Sequence, residues 1–218
     1  MAMLSTVVPS RDKIRNIIFD FGGVICDLDI PRTEKKFNAF GPPREIPPVN
    51  EKETTAMWED LVGKLETGEI TPAGFRSAIR DHYPSSPSDA AIDEAWNALL
   101  TGMPMARLHL LESIRRNYRI FLLSNSNEIH YQHFLKAFQQ QTGYKDFDGL
   151  FEKAYFSFQV HLRKPDPAIF RLVLEQNGLI PSETLFIDDT EEHVRAANGV
   201  GILGYQLKEG QDITGLFG

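Results

Sequence analysis

Four short apolar runs, Ile17 to Phe19, Ile120 to Leu123, Ala154 to Phe156 and Leu185 to Ile187, are each followed by small or polar residues and then by a stretch of helical character. Runs this short, with no polar alternation, suit strands buried on both faces. Their alternation with helices implies crossover connections and therefore a parallel sheet. The reading is an α/β chain with a Rossmann-like parallel sheet core and helices on both faces. A fifth run, Ile202 to Tyr205, is expected at a sheet edge. Asn127 can cap a helix over Glu128 to Phe138, and Asp166 with Pro167 at the first position opens another over Ala168 to Gln176. Gly178 and Gly199 fall where helices should stop.

Residues 29–105 read differently. A proline-rich loop, Gly41 to Pro48, is followed by helical segments around Glu51 to Glu66, Pro72 to Asp81 and Ser88 to Leu100, with no convincing buried strand. This predicts a small all-helical unit inserted after the first strand, and divides the chain into a core of residues 1–28 and 106–218 and an insertion of 29–105. Trp58, Leu61, Phe75 and Trp96 are expected to pack inside that unit, because a small helical unit must bury something.

The composition, 42% hydrophobic and 24% charged, is that of an ordinary globular chain. Thirty acidic against 23 basic residues give a net charge of −7, which argues against a nucleic-acid partner. The single cysteine, Cys26, cannot form an internal disulfide; its apolar neighbours make it a buried small hydrophobe in a reducing compartment. No apolar run approaches the roughly 20 residues of a membrane helix, and the start, MAMLSTVVPSRDK, reads as a loose arm. A cytoplasmic protein, with no membrane contact, that is a monomer or weak homo-oligomer is expected.

Ligands of an open parallel sheet bind beyond the carboxyl ends of its strands. Asp20, Gly22 and Gly23 follow the first strand, Ser124 and Asn125 the second, and Asp188 and Asp189 the fourth, with Arg163-Lys164-Pro165-Asp166-Pro167 shortly beyond the third. Three aspartates at one rim need compensation, and a hard divalent ion such as Mg²⁺, held through one or two carboxylates together with phosphate oxygens, supplies it. Successive strand residues point to opposite faces, so one of Asp188 and Asp189 should bind the metal directly. Gly23 allows backbone N–H groups to meet an anion, Lys164 suits a phosphate or the carboxylates, and Ser124 and Asn125 are natural partners of phosphate oxygens.

Taken singly, each signal reads equally well as a cap or a turn. In order, IIFDFGGVICD, FLLSNSN, RKPDP and LFIDDTEEH resemble the four motifs of the haloacid dehalogenase superfamily, over roughly residues 14–28 and 106–208, with the insertion at the place of the small helical cap of one branch. The resemblance implies Asp20 as a nucleophile forming an aspartyl-phosphate, and Ser124 and Lys164 holding the transferring group. It also implies Mg²⁺ held by Asp20, the Gly22 carbonyl and Asp189, with Asp188 in support. The superfamily's phosphatases often carry a second aspartate two residues after the nucleophile as general acid; here Gly22 stands there, as in the Asp-x-Gly subgroup that includes sugar-phosphate phosphatases. Asp27, His193 or an insertion residue could substitute, although His193 by itself reads as a solvent-facing helical histidine. The expected activity is Mg²⁺-dependent hydrolysis of a small phosphorylated metabolite. The alternatives are a metal-independent 2-haloacid dehalogenase and a non-catalytic member that binds a phosphorylated ligand or a protein.

Overall fold

The computed structural model describes residues 11–42 and 51–217. The amino-terminal arm, apart from its last three residues, and most of the proline-rich loop lie outside the described residues. Five parallel strands, β1 (Asn16–Phe19), β4 (Arg119–Ser124), β5 (Lys153–Phe156), β6 (Thr184–Asp188) and β7 (Leu203–Gln206), form one sheet in the order β5-β4-β1-β6-β7. Phe19 pairs with Leu122 on one side and Ile187 on the other, which aligns the carboxyl ends of the three central strands.

The expectation of strands buried on both faces holds. Ile17, Phe19, Ile120, Leu122, Leu185 and Ile187 face α5 (Met105–Ile114) and α6 (Glu128–Thr142), meeting Leu108, Leu111, Phe134 and Phe138. The alternate residues Ile18, Phe121, Leu123 and Phe186 face α8 (Pro167–Asn177), which follows the single turn α7 (Ser157–Val160), and α9 (Glu191–Gly199), meeting Ile169, Phe170, Val173 and Ala197. Period-two side-chain direction thus fills two core layers from one sheet. Asn127 caps α6 by accepting from His130 N at 3.0 Å, and Asp166 caps α8 by accepting from Ala168 N at 2.8 Å. The first helix runs four residues beyond Phe138, to Thr142, before Gly143 ends it in the left-handed conformation. Gly178 closes α8 in the same way, and Gly199 is the last residue of α9.

The insertion contains α1 (Ile30–Asn38), α2 (Glu51–Glu66), α3 (Pro72–His82) and α4 (Asp89–Asn97). Leu65, Phe75, Ile79, Tyr83 and Ile92 form its core, with Phe37, Trp58, Leu61 and Trp96 packed against it and Ile129 of α6 reaching in from below. Arg76 bridges α3 to Asp93 of α4 through two 2.8 Å bonds. One feature departs from the sequence reading: the chain leaves and re-enters the sheet region through a two-stranded antiparallel ribbon, β2 (Asp27–Leu28) and β3 (Leu100–Gly102). The helix expected to reach Leu100 ends at Asn97, because the last residues are needed to pair with β2. Among the described residues no helix is long and apolar enough to cross a membrane.

Candidate active site

Asp20 directly follows β1, and its N–H donates to Ile187 O at 2.9 Å, so pairing continues one residue past the strand and fixes the carboxylate at the rim. Lys164 Nζ donates to Asp20 Oδ1 at 2.6 Å and to Asp188 Oδ2 at 2.7 Å. The lysine side chain is only 1% exposed, a burial that its two carboxylate partners make tolerable. Asn125 sets the lysine's position: its Nδ2 donates to Lys164 O at 2.9 Å, and its Oδ1 accepts from Lys164 N at 2.8 Å. Both ends of the amide thus engage backbone, while Nδ2 keeps a second N–H and Asn125 lines the cavity. Ser124, 2% exposed, lies in the cavity wall as expected.

Asp188 is fully buried, with Oδ1 accepting from Thr190 N at 2.8 Å and His193 Nδ1 3.0 Å from Oδ2. His193 is therefore not the solvent-facing residue that its place on α9 implied; it orients Asp188 and lines the cavity. Asp20, Asp188 and Asp189 each offer a carboxylate oxygen within 4.8 Å of the others. Burial pushes Asp20 up to about 7 against the pull of Lys164. Asp188, against the penalty of its own burial, is held down to about 2 by Lys164 and His193. Asp189 is raised by burial and by the charge of Asp188. Burial opposes the charge of Lys164, yet Asp20 and Asp188 raise its pKa. Three acids facing one ammonium form an all-oxygen donor set short of positive charge, which fits a hard divalent cation.

The two glycines divide their roles. Gly23 has φ +72°, and a Cβ there would lie 2.1 Å from Asp189 Oδ2, so only glycine allows the turn to approach that carboxylate. Its N–H donates to Cys26 O at 2.9 Å, which corrects the expectation that it meets an anion: the turn itself consumes the donor. Gly22 lies in the cavity wall, and a Cβ there would meet Leu28 Cδ1 at 3.2 Å. An apolar side chain from β2 thus packs beside the position where an acid is absent. Asp27 is no substitute, because its carboxylate is paired with Arg107 Nη1 at 2.7 Å and does not line the cavity that holds Asp20. Cys26, 1% exposed, is the inert core residue expected, with its thiol pushed up to about 11 by burial.

The cavity, about 480 Å³, is walled by the rim on one side and by insertion and α6 residues on the other. Sequence reasoning missed Glu66 and His130 there, named Arg163 only as part of its motif, and took Trp96 for internal packing alone. Trp96 packs on Phe75, with ring centroids 5.0 Å apart, and also stacks on His130 at the cavity wall. A usable signal was Gly63, a glycine in the last turn of α2, where a Cβ would meet Arg163 Nη1 at 3.0 Å.

The haloacid dehalogenase-like hydrolase family matches residues 14–201. The chain belongs to that family. It is 28% identical over 199 residues to D-ribitol-5-phosphate phosphatase of Bacteroides thetaiotaomicron, covering 91% of this chain and 94% of the relative. The crystal structure of a HAD family enzyme from the same organism superposes with a TM-score of 0.83 at 38% identity, covering 93% of this chain and 98% of the other. An Asp-to-Ala mutant of a HAD family enzyme from that organism, in complex with magnesium and inorganic phosphate, matches with a TM-score of 0.80 at 36% identity, covering 91% and 96%.

Proposed function

We propose that the protein is a Mg²⁺-dependent phosphomonoester hydrolase acting on a small phosphorylated metabolite of the sugar or polyol class. The observation that carries this reading is the convergence of Asp20, Asp188 and Asp189 within 4.8 Å, with Lys164 bonded to two of them. The relative named for D-ribitol 5-phosphate and the magnesium and phosphate complex of a similar enzyme support it.

Asp20 is the nucleophile: its carboxylate oxygen forms a bond to phosphorus as the bond to the leaving oxygen breaks, and that oxygen takes a proton from solvent to leave as the alcohol. Water then attacks the phosphorus of the aspartyl-phosphate, giving up a proton to solvent, releasing inorganic phosphate and restoring Asp20. Ser124 and Lys164 hold the transferring group, whose charge spreads over equatorial oxygens. Asp20, Asp189 and the Gly22 carbonyl would hold Mg²⁺, which when bound would neutralise phosphoryl charge. Asp188 supports the site indirectly, because its oxygens are already taken by Lys164, Thr190 and His193. Residues 29–105 act as a cap over the rim, entered and left through the ribbon that places Leu28 and Leu100 in the cavity wall.

The decisive experiment is turnover of 4-nitrophenyl phosphate and a panel of sugar and polyol phosphates. Hydrolysis that is lost with EDTA, restored by Mg²⁺ and absent in Asp20→Asn is the expected result. EDTA-insensitive halide release from a 2-haloacid would establish the dehalogenase reading instead. No turnover above the Asp20→Asn control on any phosphate would leave a binding protein.

A further inference from the structure

Five buried side-chain polar atoms among the described residues have no hydrogen-bond partner, and three of them, Glu66 Oε2, His130 Nε2 and Arg163 Nε, belong to residues lining this cavity. They come from separate parts of the chain: Glu66 ends α2 of the insertion, His130 lies in the first turn of α6, and Arg163 precedes Lys164. Buried polar groups are normally satisfied, so three unsatisfied ones lining a single cavity require an explanation. Leu28, Trp96 and Leu99 line the same cavity, together with the charged and polar residues of the rim.

The three atoms have defined hydrogen-bonding characters. His130 Nδ1 lies 3.0 Å from Asn97 Oδ1, an acceptor, which assigns the proton to Nδ1 and leaves a lone pair on Nε2. Burial keeps this ring neutral, lowering its pKa to about 3. Glu66 Oε2 sits 2.9 Å from Arg163 Nη2 as an ion pair, but without hydrogen-bond alignment, so the acceptor is still open and Arg163 Nε is an open donor. The close approach of Arg163 to α2 is built in, since Gly63 leaves room for its guanidinium at the cost of a glycine inside a helix.

Two acceptors and one donor lining one cavity match a ligand whose groups both donate and accept. A hydroxyl does this: one can donate to Glu66 while accepting from Arg163, and a neighbouring one can donate to His130. A second anionic group would meet the Glu66 carboxylate, and an alkyl chain would leave all three atoms unpaired. Resting on the phosphohydrolase reading above, we infer that Glu66, Arg163 and His130 are specificity-determining residues that read the hydroxyls of a polyhydroxylated leaving group and select it over an apolar alcohol of the same length.

The test compares kcat/KM, with Mg²⁺ present, for a pentitol 5-phosphate and for n-pentyl phosphate, whose reacting centres are alike. The wild-type protein should prefer the pentitol ester by at least about 100-fold, because a site built to bond a hydroxyl rejects the analogue lacking it. Glu66→Leu, and separately His130→Phe, which keeps a ring against Trp96, should each reduce that preference by about 10-fold or more. Two variants from different elements keep the outcome interpretable if one fails to fold. Equal wild-type rates on the two esters, or variants that lower both rates and keep their ratio, would overturn the specificity assignment while turnover of 4-nitrophenyl phosphate kept the hydrolase reading standing. Failure on every phosphate, 4-nitrophenyl phosphate included, would overturn both.

Discussion

The sheet core and the helical insertion are built on different terms. In the core, Ile17, Ile18, Phe19, Phe121, Leu122, Phe186 and Ile187 are completely buried, and Lys164, Asp20 and Asp188 are locked to one another at the strand ends. The insertion has a smaller apolar centre, half-buried aromatic residues around it, and surface ion pairs such as Lys36–Glu94 and Arg80–Asp89 that add little stability. Phosphoryl chemistry requires charges held within tenths of an ångström, which a doubly covered sheet provides. Selection of a leaving group requires a wall that can be changed without moving those charges, and a unit joined through one ribbon provides that.

The largest effect expected is in the core. Lys164→Met removes the cation bonded to both Asp20 and Asp188, and should lower turnover at least about 10³-fold and cost about 3–5 kcal/mol of stability, read by steady-state kinetics and urea unfolding at pH 7. Phe75→Ala tests whether the insertion is energetically separate. It should cost about 3–5 kcal/mol locally, with amide exchange protection lost in α2 to α4 but retained in β1, β4 and β6. Uniform loss of protection across the molecule would erase the distinction drawn between the two regions.

His130, at the seam between them, gives a pH test. Its folded-state pKa of about 3 lies below the ordinary value of 6.5, so between these values the unfolded chain binds a proton that the folded one excludes. Stability is thus fully present above about pH 6.5 and falls as pH drops through that window, by about 2 to 3 kcal/mol at pH 4.5. Thermal melts of the wild-type protein and of His130→Phe should converge in pH dependence only if another group dominates. The smallest effect belongs to Gly63→Ala. An alanine inside α2 should stabilise by up to about 1 kcal/mol while pushing Arg163 Nη1 aside, so the melting temperature rises slightly as the preference for a hydroxylated ester falls.

The core was readable because burial on both faces leaves a pattern in consecutive residues: uninterrupted apolar runs, each stopping at a polar residue on the rim. Asp20 and Ser124 were found by that logic and Lys164 by its motif, and the structure gathers them around one cavity. The ribbon of β2 and β3 escaped because strands of two and three exposed residues carry no periodicity. The bonding of Asn125, Gly23 and His193 escaped because residue type states what a group can bond, while the neighbour that takes the bond is a matter of packing.

Local pattern and the order of four motifs were enough to determine the sheet, the position of Asp20 and the acidic rim. Tertiary structure alone decided which wall faces that rim. Glu66 and Arg163 are nearly a hundred positions apart, and His130 belongs to a helix whose Phe134 and Phe138 pack in the core. Their meeting depends on how the insertion sits over the strand ends, a consequence of long-range packing that no short window of sequence records.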